Sequence, residues 1–423
     1  MTLPKEPPVQ IDSERVQSML DQLHAIGQRP TGGVFRGVYS KPWREARDLI
    51  AEWMRAAGLT VTIDAVGNVR GRLSGRIEGT PIVAGSHFDT VPDGGKYDGQ
   101  LGVIGAINAV DALRRQFGQP QRTIEVLAAC EEEGSRFHCN FWASRGLLGL
   151  IGADEPDKLV DFEGTTMAAA MRDAGLDPAR VADAKTQPFG AFLELHIEQG
   201  PVLERLQNEL EPDAKRIVGA VTAITGTGRF HVTLTGQPDH SGTMPMIGRR
   251  DALLGMAEIA LAMRELALGV GHPAVMTVGH VDIVPNIPNV VPGVVKFTID
   301  ARHPDGAVLS RMMAAARLCC IAAAETRNLD VEVDEIWVQP PVQMAPEIVE
   351  RVRQAIAANG FQPVDIIAGA GHDAQIIGRS FPTAMIFVIS KGGRSHCPDE
   401  FTTAEDCAAG VQVLADTMHG LAY

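Results

Sequence analysis

A chain of 423 residues, 45% of them hydrophobic, can bury a large core and is long enough to divide into two or three domains. Its formal net charge of −14 argues against nucleic-acid and acidic-membrane partners, so single arginines gain weight as candidates for holding an anionic ligand. Six cysteines without a CxxC pair read as reduced thiols of a cytoplasmic protein, and no apolar leader or uncharged apolar run of about 18 residues suggests export or membrane insertion.

In chain order, Ser13 is placed to cap a helix carrying Val16, Leu20, Leu23 and Ile26 at helical spacing. Ser40 caps a second helix, with Pro42 in its first turn and Gly58 at its end. Strands are expected over Leu59–Asp64, Val69–Leu73, Ile82–Ala84 and Thr123–Ala129, with a helix over Leu101–Phe117, which implies an α/β fold built on a mixed sheet. From about Gly219 to about Val338 the texture changes. Strand Arg229–Thr235, helix Arg249–Leu268, strands Ala274–Ile283 and Val294–Ala301, helix Ala307–Thr326 and strand Val331–Val338 follow the β-α-β-β-α-β order of a ferredoxin-like α+β domain. Helix and strand resume over Val349–Asn359, Phe361–Ile367 and Thr383–Ile389. Residues 1–218 and 339–423 therefore read as one discontinuous domain, and 219–338 as an insertion.

Chemistry-bearing residues concentrate at the expected strand ends. His87-x-Asp89 follows the apolar run Pro81–Ala84, and Asp98 follows the turn Asp93-Gly94-Gly95. An imidazole and two carboxylates so close can surround a metal, with Asp89 as an outer partner fixing the His87 tautomer and Asp98 able to use both oxygens. Taken alone, the pair could equally be a hydrogen-bonded loop. Four further segments change that balance: Glu131-Glu132-Glu133-Gly134, His196-Ile197-Glu198-Gln199-Gly200, Gly371-His372-Asp373-Ala374 and Ser395-His396-Cys397-Pro398.

Together these segments resemble the metal-dependent amidohydrolases of the M20 metallopeptidase superfamily, in the branch of allantoate amidohydrolases, N-carbamoyl-L-amino-acid hydrolases and β-ureidopropionases. The resemblance runs from Arg36 to Thr403. It implies two divalent ions held by His87, Asp98, Glu133, His196 and His396, with Asp98 bridging and the division of the histidines between the ions left open. Three imidazoles and two carboxylates without a thiolate suit Zn²⁺ and also admit Mn²⁺, Co²⁺ or Ni²⁺. It makes Glu132 the general base, facing a different way from Glu133, and places Asp89 and His372 behind the ligands.

The same resemblance implies a small ureido or N-carbamoyl substrate bearing a carboxylate, cleaved to ammonia, carbon dioxide and an amine or amino acid. Gln199, Asn289 and Arg302 would contact it, and His240 would polarise its carbonyl across a homodimer formed by the inserted lid domain. Closure of that domain would bring His240, Asn289 and Arg302 to the metals. Phe35, Cys130 and Met244 depart from residues common in the family, and Cys397 beside His396 reads as packing. An aminoacylase or peptidase with the same metals is the nearest rival. A non-catalytic binding protein would be expected to lack the base or a ligand, yet all six positions are filled.

Overall fold

The computed structural model describes residues 9–211 and 215–423. Of these, the residues up to Thr222 and from Met344 form one compact unit and Ala223–Gln343 form a second, so the division falls a few residues beyond each boundary expected from sequence.

The larger unit begins with α1 (Ser13–His24) and α2 (Lys41–Ala56). Asp12, not Ser13, caps α1, its carboxylate accepting from the Arg15 backbone N–H at 2.9 Å. This helix stops at His24, so Ile26 lies beyond it. Ser40 caps α2 as expected, with Gly58 in the left-handed region just after its end. Then follow β1 (Thr60–Ile63), β2 (Val69–Leu73), β3 (Ile82–His87), α3 (Gln100–Phe117), β4 (Ile124–Ala129), the short helices α4 (Trp142–Leu147), α5 (Glu155–Lys158) and α6 (Met167–Asp173), β5 (Ala191–Ile197), α7 (Val202–Asn208) and β6 (Ile217–Ile224).

The smaller unit holds β7 (Gly226–Thr235), α8 (Ala252–Val270), β8 (Val275–Val284), β9 (Val294–His303), α9 (Gly306–Thr326), β10 (Asp330–Gln339) and the two-residue β11 (Val342–Gln343). The chain returns through α10 (Pro346–Ala358), β12 (Gln362–Ala368), α11 (Asp373–Ile377), β13 (Thr383–Val388) and α12 (Ala404–Ala422).

The large sheet runs β1-β2-β4-β3-β5-β13-β6, with β12 and the short β11 also pairing to β6. It is mixed. The pairs β3/β4, β3/β5 and β5/β13 are parallel and those toward the edges antiparallel. Every residue of β3, β4, β5 and β13 is buried, which accounts for their unbroken apolar runs. Helix α3 lies across this layer and is itself buried almost all round, between the sheet and α1 and α12.

The small sheet has the order β10-β7-β9-β8, antiparallel throughout, which is the ferredoxin-like arrangement. One face alternates Phe230, Val232 and Leu234 with Val295, Phe297 and Ile299 under α8 and α9. Helix α9 is the one helix among the described residues long and apolar enough to cross a membrane. It instead lays Leu309, Met312, Ala316 and Cys320 into this core.

Close packing of β3 on β4 sets the position of everything that follows His87. A Cβ on Gly85 would stand 1.8 Å from the Leu127 carbonyl oxygen. Gly85→Ala should therefore lower the unfolding free energy by roughly 1–3 kcal/mol, the usual cost of overpacking, measured by urea denaturation. An unchanged midpoint would show that the two strands separate without penalty.

Candidate metal centre

The four parallel strands deliver side chains from their carboxyl ends, where open α/β sheets present their chemistry. His87 is the last residue of β3, so the strand extends three residues further than expected and carries the imidazole itself. Glu132 and Glu133 come just after β4, His196 is the penultimate residue of β5, and His396 sits on the loop after β13. Asp98 reaches the same place from the crossover to α3. Gly99, at φ 73°, lets the backbone pass so close that a Cβ would lie 2.4–2.6 Å from the His87 ring.

These side chains converge on Asp98. Its Oδ1 lies 3.5 Å from Nε2 of His87 and 3.1 Å from Nε2 of His196. Its Oδ2 lies 3.1 Å from Nε2 of His396, which is 3.5 Å from a Glu133 oxygen. Donors on one tetrahedral ion with bonds of about 2.0–2.1 Å stand roughly 3.4 Å apart, so the donor set fits two ions sharing one carboxylate. His87, His196 and Asp98 Oδ1 would hold one ion; Glu133, His396 and Asp98 Oδ2 would hold the other. This is the division that sequence left open.

The supports behind the donors explain why they point this way. Nδ1 of His196 is 2.9 Å from the Ile197 carbonyl oxygen, and Nδ1 of His87 is 3.3 Å from Oδ1 of Asp89, which turns both Nε2 atoms toward Asp98. Asp89 is buried, and its two oxygens accept from the backbone N–H groups of Glu132 (3.0 Å) and Glu133 (3.2 Å). One carboxylate thus orients a ligand histidine and both glutamates. Arg36, fully buried, donates Nε to the Phe88 carbonyl at 2.9 Å. Burial lowers its guanidinium to about 10, and the Asp89 charge opposes that.

Under the site, Trp43 donates to the Cys130 carbonyl at 2.8 Å and stacks on Phe88 at 5.3 Å. Asn68 accepts from the Cys130 N–H at 2.9 Å. Burial pushes the Cys130 thiol well up, away from the thiolate form a nucleophile needs.

Glu132 and Glu133 each bring a carboxylate oxygen within 4.8 Å of the His87 imidazole and of one another, and Glu133 also stands with Asp98 and His396. Burial raises the Glu132 carboxyl well above the usual range, and the nearby charge of Glu133 adds to this. Glu133 is pushed up to about 8, by burial and then by the Asp98 charge. Burial also works against ionised Asp98, but hydrogen bonds to His196, His396 and His87 outweigh it and hold that carboxyl well below its ordinary value.

Residues 83–420 match the model of peptidase family M20/M25/M40. The chain belongs to that family. Within it, the chain falls in the hydantoinase/carbamoylase branch. It is 39% identical to an allantoate amidohydrolase of Escherichia coli (strain K12), over 97% of this chain and 98% of the relative. It is 36% identical to an N-carbamoyl-L-amino-acid amidohydrolase of Paenarthrobacter aurescens, with the same coverage of each chain. A crystal structure of a hydantoinase/carbamoylase family amidase from Burkholderia multivorans superposes with a TM-score of 0.91 at 37% identity, covering 98% of both chains.

Gln199, expected at the substrate, has a left-handed backbone (φ 57°) that turns its Nε2 onto Oδ2 of Asp98 at 2.9 Å and onto Ser395 at 3.1 Å. Its neighbour Glu198 accepts from the N–H groups of Val202 and Leu203 at the start of α7, a capping role. The His372 ring packs edge-on against His196, ring centroids 4.5 Å apart. Phe35 is half-buried, with its ring tip against Gly37. The Met244 carbonyl accepts from Arg249, closing the loop that carries His240.

Within the smaller unit, His240 and Asn289 belong together: a bridge joins His240 to Val290, and Ser241 N–H donates to the Asn289 carbonyl at 3.0 Å. Both side chains are exposed. Arg302 sits at the other end of β9. Its register partner is Thr227, whereas Val294, nearest Asn289, faces Thr235. The intervening strand is about 27 Å long at 3.4 Å per residue. Asp300 holds Nε of Arg302 at 2.9 Å and also pairs with Arg229 at 2.7 Å.

Two supporting acids escaped the sequence reading. Glu194 accepts from Ser86 Oγ at 2.7 Å and from the Ala374 N–H at 2.9 Å, tying β3 and α11 to β5. It lies two residues before His196 on one strand, so strand periodicity carried the signal. Glu400, in the loop after His396, accepts from the backbone of Asp98, and no pattern in the sequence marked it.

The protonation pattern fixes how the metal-free protein responds to pH. Glu133, at about 8, and His396, raised to about 9 chiefly by its hydrogen bond to Asp98, both hold protons more tightly folded than unfolded. The stability they contribute is full below their ordinary values and is lost as pH rises through those raised values. Lowered Asp98 has the opposite sign, but its contribution is lost only in acid. Lowered His372 opposes this only up to its ordinary value of 6.5, so metal-depleted protein is expected to melt at falling temperature from about pH 7 to pH 9, and divalent cation should flatten the curve. Calorimetry showing stability that rises across this window would contradict the assignment.

Proposed function

We propose that the protein hydrolyses the C–N bond of a small ureido or N-carbamoyl compound carrying a carboxylate, releasing ammonia, carbon dioxide and an amine or amino acid. The observation that carries this reading is the shared Asp98 carboxylate with a ligand trio on each oxygen and buried Glu132 beside them. Membership of the hydantoinase/carbamoylase branch directs it to amides of this kind rather than to peptides.

When bound, the two cations supply Lewis acidity for the substrate carbonyl and acidify the attacking water. The chain does the rest. Glu132, whose carboxyl is buried beside the ligands, takes the proton of that water and returns it to the departing nitrogen. Asp89 keeps Glu132 in place through its backbone N–H. Arg302, steadied by Asp300, offers a planar guanidinium suited to a carboxylate.

Glu132→Gln should retain both ions yet lower kcat by about 10²–10⁴-fold, assayed as ammonia release from allantoate and N-carbamoyl-L-amino acids. Wild-type turnover in that variant would dismiss Glu132 as the base. Absence of ammonia release by the native protein from every ureido and N-carbamoyl compound tried, with N-acyl amino acids cleaved instead, would favour the aminoacylase reading.

The separation of His240 and Asn289 from Arg302 supports a homodimer in which each active site takes its His240 from the partner copy. Glu132→Gln and His240→Ala proteins, each impaired alone, should then recover activity when subunits are mixed, because one site of the hybrid combines an intact base with an intact histidine. No recovery after verified subunit exchange would place His240 in the site of its own chain.

A further inference from the structure

Glu400 reaches two of the expected metal donors, Asp98 through its backbone N–H and His396 through the neighbouring Ser395 hydroxyl. The residue is 5% exposed. Oε1 accepts from the backbone N–H groups of Tyr97 (2.8 Å) and Asp98 (3.1 Å), which fixes the turn that presents Asp98. Oε2 accepts from Ser395 Oγ at 2.8 Å, and the same hydroxyl lies 3.0 Å from Oδ2 of Asp98. Ser395 immediately precedes His396, whose backbone is left-handed at φ 56°, a conformation that persists in a non-glycine residue only when its surroundings impose it.

The carboxylate is itself held firmly. Next along the chain, the Phe401 carbonyl accepts from Lys391 N–H at 2.9 Å, and Thr402 Oγ1 donates to the Ile389 carbonyl at 3.0 Å, so this segment is pinned to the end of β13. On the other side the Gly95 backbone passes so close that a Cβ there would stand 2.2 Å from Oε1 and 2.5 Å from Cβ of Glu400. Only a glycine allows that approach.

We propose that Glu400 is the positioning residue of the bridging carboxylate, acting on Asp98 through the backbone and on His396 through Ser395. The role rests on the dinuclear reading of the site. Its effect is unequal between the two ions. His87 and His196 stand on buried strands that Glu400 does not touch, whereas Asp98 Oδ2 and His396 both depend on it. Loss of Glu400 should therefore weaken most the ion held by Asp98 Oδ2, Glu133 and His396, and less the ion that shares only Asp98 Oδ1 with it.

The test is competition between metal-depleted protein and a chromophoric chelator for Zn²⁺, with wild type expected to take up two ions per chain. In Glu400→Ala and Ser395→Ala, one of the two affinities should fall by about 10–100-fold, the usual consequence of losing an outer-shell partner. The serine variant should show the smaller drop. Glu400→Gln, which keeps an oxygen for the Tyr97 and Asp98 N–H groups, should recover most of the loss, and excess Zn²⁺ should raise kcat of the alanine variants. If Glu400→Ala does not fold, Ser395→Ala and Gly95→Ala decide. Two wild-type affinities in the folded variants would overturn the role, as would an equal loss of both accompanied by a lower melting temperature of the metal-free protein. Wild-type protein binding fewer than two ions would instead sink the dinuclear reading, and this role with it.

Discussion

Confinement of like charges governs this structure. Asp89, Asp98, Glu131 and Glu132 are buried, and Glu133 and Asp373 lie close enough to raise their neighbours' proton affinity. Several carboxylates out of water and within reach of one another are tolerated only if protons or cations offset their charge. The histidines opposite offset part of it by hydrogen bonding to Asp98. Two divalent ions would offset far more, and the imidazole and carboxylate donors stand at the separations such ions require. The same crowding that calls for cations leaves Glu132 with the high proton affinity of a useful base.

The fold holds this arrangement in place by enclosing it. Four parallel strands buried on both faces fix the starting points of His87, Glu132, Glu133 and His196, while Trp43, Phe88 and Tyr39 brace the turn after β4 from below. Asp89 and Glu400 then do with hydrogen bonds what packing does for the strands: each ties backbone N–H groups of ligand-bearing turns to a buried carboxylate. Loops alone would not hold donors to the few tenths of an ångström that metal coordination needs.

How much of this was legible in the sequence depended on whether the signal was local. The strands and both ferredoxin-like helices could be read from apolar periodicity, and the five expected metal donors from motifs that resemble those of the M20 family. The supports were harder to see. Gln199 points at Asp98 because of a left-handed backbone that its residue type does not announce, and Glu198 in the same motif serves the next helix. Glu400 looks like part of a solvated Pro-Asp-Glu turn until the chain folds it against Gly95. The separation of Arg302 from the start of β9, which follows Asn289, comes from the length and register of that strand, which residue types alone do not announce. Boundaries shifted wherever a neighbouring side chain made the better cap, as Asp12 does ahead of Ser13.

The central claim is that Asp98 bridges two ions, one per oxygen. Anomalous X-ray diffraction from crystals of the metal-loaded protein, collected at the absorption edge of the bound metal, addresses it directly. The account predicts two peaks roughly 3.5–4 Å apart, one among His87, His196 and Asp98 and the other among Glu133, His396 and Asp98. A single peak in fully loaded crystals, or two peaks without Asp98 between them, would contradict it.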